Sequence, residues 1–129
     1  MEIKTEYKSV LNMLDLKIID ASFHMSEDGV QEAELGVSVD RKLEKDETDN
    51  YRILLGITVC NESKTLVAEA KCLGVFKTSN DNYPLIERNA IAIMFPYLRS
   101  YISSLTTQPG MQPIVLPPIN IMALLSGQK

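Results

Sequence analysis

Apolar and polar residues alternate along much of the first two thirds of the chain, a pattern typical of half-buried β-strands. The alternation is clearest over residues 31–41, where one face would carry alanine, leucine and valine and the other mostly acidic and serine side chains. Residues 42–50 are mostly charged, so we expect them to form an exposed loop. The pattern predicts four strands, over residues 10–23, 31–41, 51–60 and 65–77.

The last two predicted strands form an antiparallel hairpin around a turn at residues 61–64. With Cys60 opposite Thr65, one register gives both strands an apolar face and a mixed face, as a half-buried sheet requires. The same register places Cys60 and Cys72 on opposite faces of the hairpin. We therefore predict that these two cysteines form no intramolecular disulfide.

After Asn80 the apolar spacing changes to the three-and-four spacing of an amphipathic helix, and Pro84 suits the start of such a helix. The predicted helical stripe consists of Ile91, Phe95, Leu98, Ile102 and Leu105. A proline inside a helix costs about 3 kcal/mol or more, so Pro96 either lies in the first turns, marks a kink, or is compensated by tertiary contacts. Residues 120–126 predict a short final helix with Asn120 as its N-cap.

This order of elements predicts a single α+β domain over residues 1–129: a four-stranded antiparallel sheet followed by a long helix and a short C-terminal helix. The net charge is −4 and the basic residues are scattered, which disfavours binding to nucleic acid. The sequence shows neither a signal peptide nor an apolar run near the ~20 residues that span a bilayer. We therefore expect a cytoplasmic protein that does not insert into membranes.

Patterns that carry catalysis or metal binding are weak in this sequence. His24 is the only histidine, and we interpret it as an ordinary surface residue. Cys60 and Cys72 are too far apart for a CxxC metal or redox motif, and no glycine-rich phosphate-binding motif is found. We therefore expect no enzymatic activity, no cofactor and no metal.

Two proline-containing segments resemble motifs of a known family. Residues 95–99 (Phe-Pro-Tyr-Leu-Arg) resemble part of the Leu-Phe-Pro-Tyr-Ala-Arg segment that begins the long helix of the SecB export chaperones. Residues 116–121 (Leu-Pro-Pro-Ile-Asn-Ile) resemble the Leu-Ala-Pro-Val-Asn-Phe segment that precedes the last helix of that family. Residues 20–23 (Asp-Ala-Ser-Phe) are similar to its Asp-Ile-Ser-Phe, and the resemblance covers roughly residues 10–125.

The resemblance implies an ATP-independent holdase that binds unfolded precursor polypeptides in apolar grooves and passes them to a SecA-type translocase motor. It also implies a homotetramer, built as a dimer of dimers with the long helices at the subunit interface. The positions that match the family's client-binding pattern are Leu35, Val37, Phe76, Ile121, Leu124 and Leu125. The positions expected at the oligomer interface are Phe95, Pro96, Tyr97, Leu98 and Ile102.

Asp20 and Glu69 match two acidic positions with which family members dock the motor. His24 replaces the family's glutamate at a third position, and no extended tail follows the last predicted helix, so the expectation of client binding is firmer than that of motor docking. One alternative is a dedicated chaperone for a single partner, such as an antitoxin. Another is a small-ligand-binding or hot-dog-like enzyme domain, which the position of the helices after all strands disfavours.

Overall fold

The computed structural model describes residues 11–79, 81–118, 120 and 123–124. Its elements are β1 (Asn12–Met25), β2 (Gly36–Lys45), β3 (Tyr51–Cys60), β4 (Leu66–Lys77) and α1 (Tyr83–Leu105). The strands form one antiparallel sheet in the order β1-β4-β3-β2, so β1 and β2 are its edges. This confirms the predicted four-stranded sheet followed by a long helix.

The core lies between α1 and the face of the sheet formed mainly by β3 and β4. The inward side chains of β3 are large and at most 2% exposed: Tyr51, Ile53, Leu55, Ile57 and Val59. Most of their neighbours on β4 are small: Ala68, Ala70, Cys72 and Gly74. A Cβ atom at Gly74 would lie 2.8 Å from the sulfur of Met94, so only glycine lets this helical side chain approach the strand so closely. Small residues on β4 thus allow α1 to pack directly on the sheet.

The second strand is displaced toward the C-terminus from its predicted position, residues 31–41. Residues 31–35 instead lie across the end of the β3–β4 hairpin, where the amide of Ser63 donates to Oε1 of Glu32 at 2.9 Å. Because these polar contacts hold the segment outside the sheet, strand pairing begins at Gly36, opposite Cys60.

The prediction of a loop over residues 42–50 is wrong for its first part, since residues 42–45 continue β2. Charge does not prevent strand formation here because β2 is an edge strand, and the charged side chains of Lys42, Glu44 and Lys45 are exposed. Leu43 pairs with Ile53 and packs against the core. The loop is therefore restricted to residues 46–50.

The predicted register of the β3–β4 hairpin is wrong by two residues. Cys60 pairs with Val67 rather than with Thr65. The buried side chain of Asn61 accounts for the shift, because its Oδ1 accepts from the amide of Leu66 at 3.1 Å and its Nδ2 donates to Oγ1 of Thr65 at 2.7 Å. These bonds move the turn onto the residues that follow Asn61.

A shift of two residues leaves every side chain of the hairpin on its predicted face, because side chains alternate with a period of two. Cys60 and Cys72 accordingly lie on opposite faces and are free, as predicted. Cys72 is buried, and the loss of solvation raises the pKa of its thiol to about 11.

Helix α1 begins before the predicted stripe. Asn82 caps it by accepting a hydrogen bond from the amide of Leu85 at 3.3 Å, and Pro84 lies in the first turn, where its missing N–H costs little. Pro96 lies in the middle of the helix, which favours compensation by tertiary contacts over a position in the first turns. The compensating side chains buried along α1 are Ile86, Ala90, Ile91, Met94, Phe95, Leu98 and Ile102.

The predicted final helix, residues 120–126, is described only at Asn120, Ala123 and Leu124. The side chain of Asn120 accepts from the amide of Ala123 at 3.0 Å, and its carbonyl accepts from the amide of Leu124 at 3.0 Å. These two bonds are the ones an N-cap makes in a helical turn. The remainder of the predicted helix lies outside the described residues.

Candidate functional site

The described side chains offer no grouping of three or more histidine, cysteine, aspartate or glutamate residues that would hold a metal ion. His24 lies exposed on β1, on the face of the sheet away from α1. No described helix is long and apolar enough to cross a membrane. The notable surface features of the described chain are instead apolar.

An open groove of about 540 Å³ runs between the edge strand β1 and helix α1. Its lining is mostly apolar and aromatic on both sides, and includes Leu16, Ile18, Pro96, Tyr97, Ser100 and Tyr101. Pro96 and Tyr97 are exposed, and the Tyr97 side chain is 52% accessible. Two residues predicted for the oligomer interface thus contribute to this groove.

The other three residues predicted for that interface lie inside the protomer. Phe95, Leu98 and Ile102 are buried against the sheet, which leaves them little surface for a partner. The helical stripe that makes them recognisable in the sequence is the face by which α1 packs on its own sheet. The exposed face of α1 is the one that carries Pro96 and Tyr97.

Two β-bulges on β1 place apolar side chains on the surface. The pairing of β1 with β4 skips Leu14 and Ile19, and both are about half exposed, at 49% and 50%. Bulges of this kind re-aim side chains at sheet edges. The signal in the sequence is the pair of adjacent apolar residues at each place, which interrupts the alternation expected of a regular strand.

The predicted client-binding residues differ widely in exposure. Phe76 is fully buried and pairs with Tyr51, so it belongs to the core. Leu35 and Leu124 are partly buried and pack against that core, whereas Val37 is 48% exposed on the edge strand β2. The two other predicted residues, Ile121 and Leu125, lie outside the described residues.

The proline-rich connection after α1 runs back along the helix. The Nε of Arg99 donates to the carbonyl of Leu116 at 2.6 Å, and the Oγ of Ser103 donates to the carbonyl of Ile114 at 2.8 Å. Between these anchored residues, the side chain of Val115 is 72% exposed. The sequence pattern does not identify the role of Arg99 and Ser103 in holding the connection.

Asp20 and Glu69 lie exposed on the face of the sheet away from α1, on the adjacent strands β1 and β4. Asp20 pairs with Lys71, and Glu69 pairs with Ser22. The structure thus brings the two acidic side chains close together and places a lysine beside them. No pattern in the sequence indicates that Lys71 lies beside the two acidic residues.

Comparisons with protein-family models and with known relatives point to the same family. The family model described as preprotein translocase subunit SecB matches residues 5–129. A protein-export protein SecB of Azoarcus sp. is 30% identical over 72% of this chain and 68% of its own length. A protein-export protein SecB of Burkholderia vietnamiensis is 38% identical over 68% of this chain and 60% of its own length.

A further relative is an uncharacterized protein of Methanocaldococcus jannaschii, 42% identical over 32% of this chain but only 26% of its own length. Among solved structures, the fold is similar to that of a Mycobacterium tuberculosis SecB-like chaperone in complex with a ChAD peptide from the HigA1 antitoxin. The TM-score is 0.68 over 85% of this chain and 88% of that one, at 10% sequence identity. At this identity the likeness concerns the fold.

Proposed function

Because the chain belongs to the SecB family, we propose that it is a non-enzymatic, ATP-independent chaperone that holds unfolded or precursor polypeptides in the cytoplasm. The observation that carries this proposal is a set of large apolar side chains left about half exposed or more by the folded protomer. Apart from Tyr97, which is assigned below to a subunit interface, they are Leu14, Ile19, Val37 and Val115.

Exposed apolar side chains suit a client that has no fixed sequence. Burial of apolar surface is non-directional and contributes roughly 25 cal/mol per Å², so many different unfolded segments gain free energy from the same surface. A native protein has already buried most of its apolar side chains and gains less. Such a surface therefore selects for unfolded chains without reading their sequence.

The two sheet edges add a second, sequence-independent attraction. Among the residues that the structure describes, β1 and β2 each have one side without a strand neighbour, and an extended polypeptide can add to such an edge through main-chain hydrogen bonds. Val37 on β2 provides an apolar contact at one of these edges. We assign client binding to this edge, with Leu35 as a further apolar residue. The family resemblance adds Leu124, Ile121 and Leu125 as client-binding residues, whereas Phe76 supports the surface from the core.

The protomers assemble into a homotetramer in this proposal, with Pro96 and Tyr97 at a subunit interface. Their exposure on the outer face of α1, beside the groove along β1, supports this assignment. Several binding surfaces on one assembly hold one unfolded chain more tightly than a single surface, because each further contact becomes intramolecular.

A second candidate function is the protection of one fixed partner. The Mycobacterium tuberculosis chaperone of similar fold is bound to a peptide from an antitoxin, and such a peptide is of the same chemical kind as a segment of an unfolded client. A dedicated chaperone would co-purify with one protein and would leave unrelated unfolded clients unprotected.

The acidic pair Asp20 and Glu69 is our candidate contact for a SecA-type motor. Both residues lie on β1 and β4, on the sheet face away from α1, whereas client binding is assigned to the edge strand β2, so a motor and a client would not compete for the same surface. Reversal of both charges, in D20K/E69K, is expected to weaken motor binding and to leave client affinity unchanged.

Client binding at β2 is tested by Val37→Asp, with Ser38→Asp as the matched control. Both positions are exposed neighbours on β2, but Val37 lies on the apolar face and Ser38 on the polar face. Loss of a buried valine contact is expected to weaken the binding of reduced, carboxymethylated α-lactalbumin by at least about tenfold, whereas the control is expected to bind normally. Fluorescence anisotropy of the labelled client measures both; equal affinities would contradict the assignment of the site to β2.

A further inference from the structure

We infer that Arg99, Ser103 and Thr106 are positioning residues that hold the connection after α1 as a fixed wall of the polypeptide-binding surface. We call residues 113–118 of this connection the strap. The inference rests on the proposed chaperone function, and it adds three polar residues to a surface otherwise described by its apolar side chains.

Three side chains of α1 and its C-cap bind the main chain of the strap. Arg99 donates to the carbonyl of Leu116 at 2.6 Å, and Ser103 donates to the carbonyl of Ile114 at 2.8 Å. The amide of Ile114 donates to Oγ1 of Thr106 at 2.8 Å. Ile114 is therefore held by both its amide and its carbonyl, and Leu116 by a charge-assisted hydrogen bond, which is stronger than a neutral one.

The spacing of these hydrogen bonds matches the rise of an α-helix on one side and that of an extended chain on the other. Arg99 and Ser103 are one helical turn apart, about 6 Å along the axis at 1.5 Å per residue. Ile114 and Leu116 are two residues apart in an extended chain, about 6.6 Å at 3.3 Å per residue. Arg99 and Ser103, one helical turn apart, therefore reach two carbonyls of the strap that are two residues apart. This match fixes the register of the strap on the helix and its direction, which is antiparallel to α1.

The prolines explain why the strap needs partners from the helix. Pro113, Pro117 and Pro118 have no amide hydrogen, and each disfavours helical conformation in the residue before it. The strap forms no regular secondary structure, so its carbonyls depend on side chains or water. The polar row on α1 supplies those side chains.

Anchoring determines which side chain of the strap faces solvent. Leu116 is buried at 3% exposure, whereas its neighbour Val115 is exposed at 72%, the alternation of an extended segment. A slip of one residue would reverse the two side chains. The polar row therefore keeps Val115 presented on the surface and Leu116 in the core.

A fixed strap raises client affinity because the binding surface then exists before the client arrives. If the strap were fastened for only about a tenth of the time, the apparent affinity of a surface that includes it would fall about tenfold. Arg99, Ser103 and Thr106 would thus affect binding through the strap, without contact to the client.

The test compares two double variants. Arg99→Met with Ser103→Ala removes both donors, and Arg99→Lys with Ser103→Thr keeps a donor at each position. We expect the first to weaken binding of reduced, carboxymethylated α-lactalbumin by about tenfold. It is also expected to accelerate hydrogen exchange of the Ile114 amide, because of the three bonds that hold the strap only the one to Thr106 remains. The second is expected to retain exchange protection and to bind within about twofold of the wild type.

If the Ile114 amide of the first double variant exchanges as slowly as that of the wild type, Arg99 and Ser103 do not anchor the strap. If it exchanges faster but client affinity is unchanged, the anchored strap has no role in client binding. If the first double variant fails to fold, Thr106→Val and Thr106→Ser make the same comparison at the amide of Ile114. A wild-type protein that binds no client overturns the proposed function, and this outcome is distinguished from failure of the inference by the exchange rates.

Discussion

Asn61 is the residue whose side chain determines where the β3–β4 hairpin turns. It is 1% exposed, and its amide group bonds the amide of Leu66, the hydroxyl of Thr65 and the carbonyl of Glu32. It therefore joins the turn to the segment before β2. A single buried amide thus shifts the start of β2 as well as the register of the hairpin.

Replacement of Asn61 by alanine is expected to lower the free energy of unfolding by about 1–3 kcal/mol, because the variant loses these bonds and leaves polar groups without partners. Glu62→Ala, at the exposed neighbouring position, is the control and should change stability little. Urea unfolding followed by circular dichroism measures both. Equal midpoints for the two variants would show that the Asn61 side chain does not hold the turn.

Helix α1 shows how one element serves three roles with three different faces. Its buried stripe packs on β3 and β4, its polar row holds the strap, and its exposed face carries Pro96 and Tyr97 beside the groove along β1. The apolar stripe is visible in the sequence as a three-and-four repeat. The exposed face with Pro96 and Tyr97 cannot be recognised in the sequence, because one proline and one tyrosine form no periodic pattern.

Periodicity predicts the elements and faces of this fold more closely than it predicts register and ends. Leu55 and Ile57 lie inward as their alternation requires. The start of β2 depends on hydrogen bonds of Glu32 to a turn distant in sequence, which no local pattern contains. The family resemblance selected Phe76 as a client-binding residue, and an aromatic side chain in a strand gives no sign of whether it faces a groove or the core.

The exposed face of α1 is tested by Tyr97→Asp, with Tyr97→Phe as the matched control. Tyr97 is exposed and lines the groove, and phenylalanine keeps an aromatic ring there without adding a charge. A charge buried at a subunit interface is costly, so the first variant is expected to dissociate the tetramer while the second remains assembled. Analytical ultracentrifugation measures the mass of each. A wild-type protein at the protomer mass of 14.4 kDa, or a Tyr97→Asp variant of unchanged mass, would contradict this interface.

At the scale of the whole molecule, the chain combines a well-packed core with a surface that leaves large apolar side chains in solvent. The core is formed by α1 and one face of the sheet, and the exposed apolar residues lie on β1, on β2, on the outer face of α1 and on the strap. The acidic pair lies on the opposite face of the sheet from α1. In the proposed function, the client site at β2 is therefore separate from the acidic pair on β1 and β4.

The most direct test of the chaperone proposal is light scattering from an aggregating client. Citrate synthase is heated alone, with the purified protein, and with the same protein carrying Val37→Asp and Val115→Asp, all without nucleotide. We expect the wild-type protein to suppress aggregation in proportion to its concentration and the double variant to suppress it much less. Unchanged scattering at several-fold molar excess of the wild-type protein would contradict a general holdase.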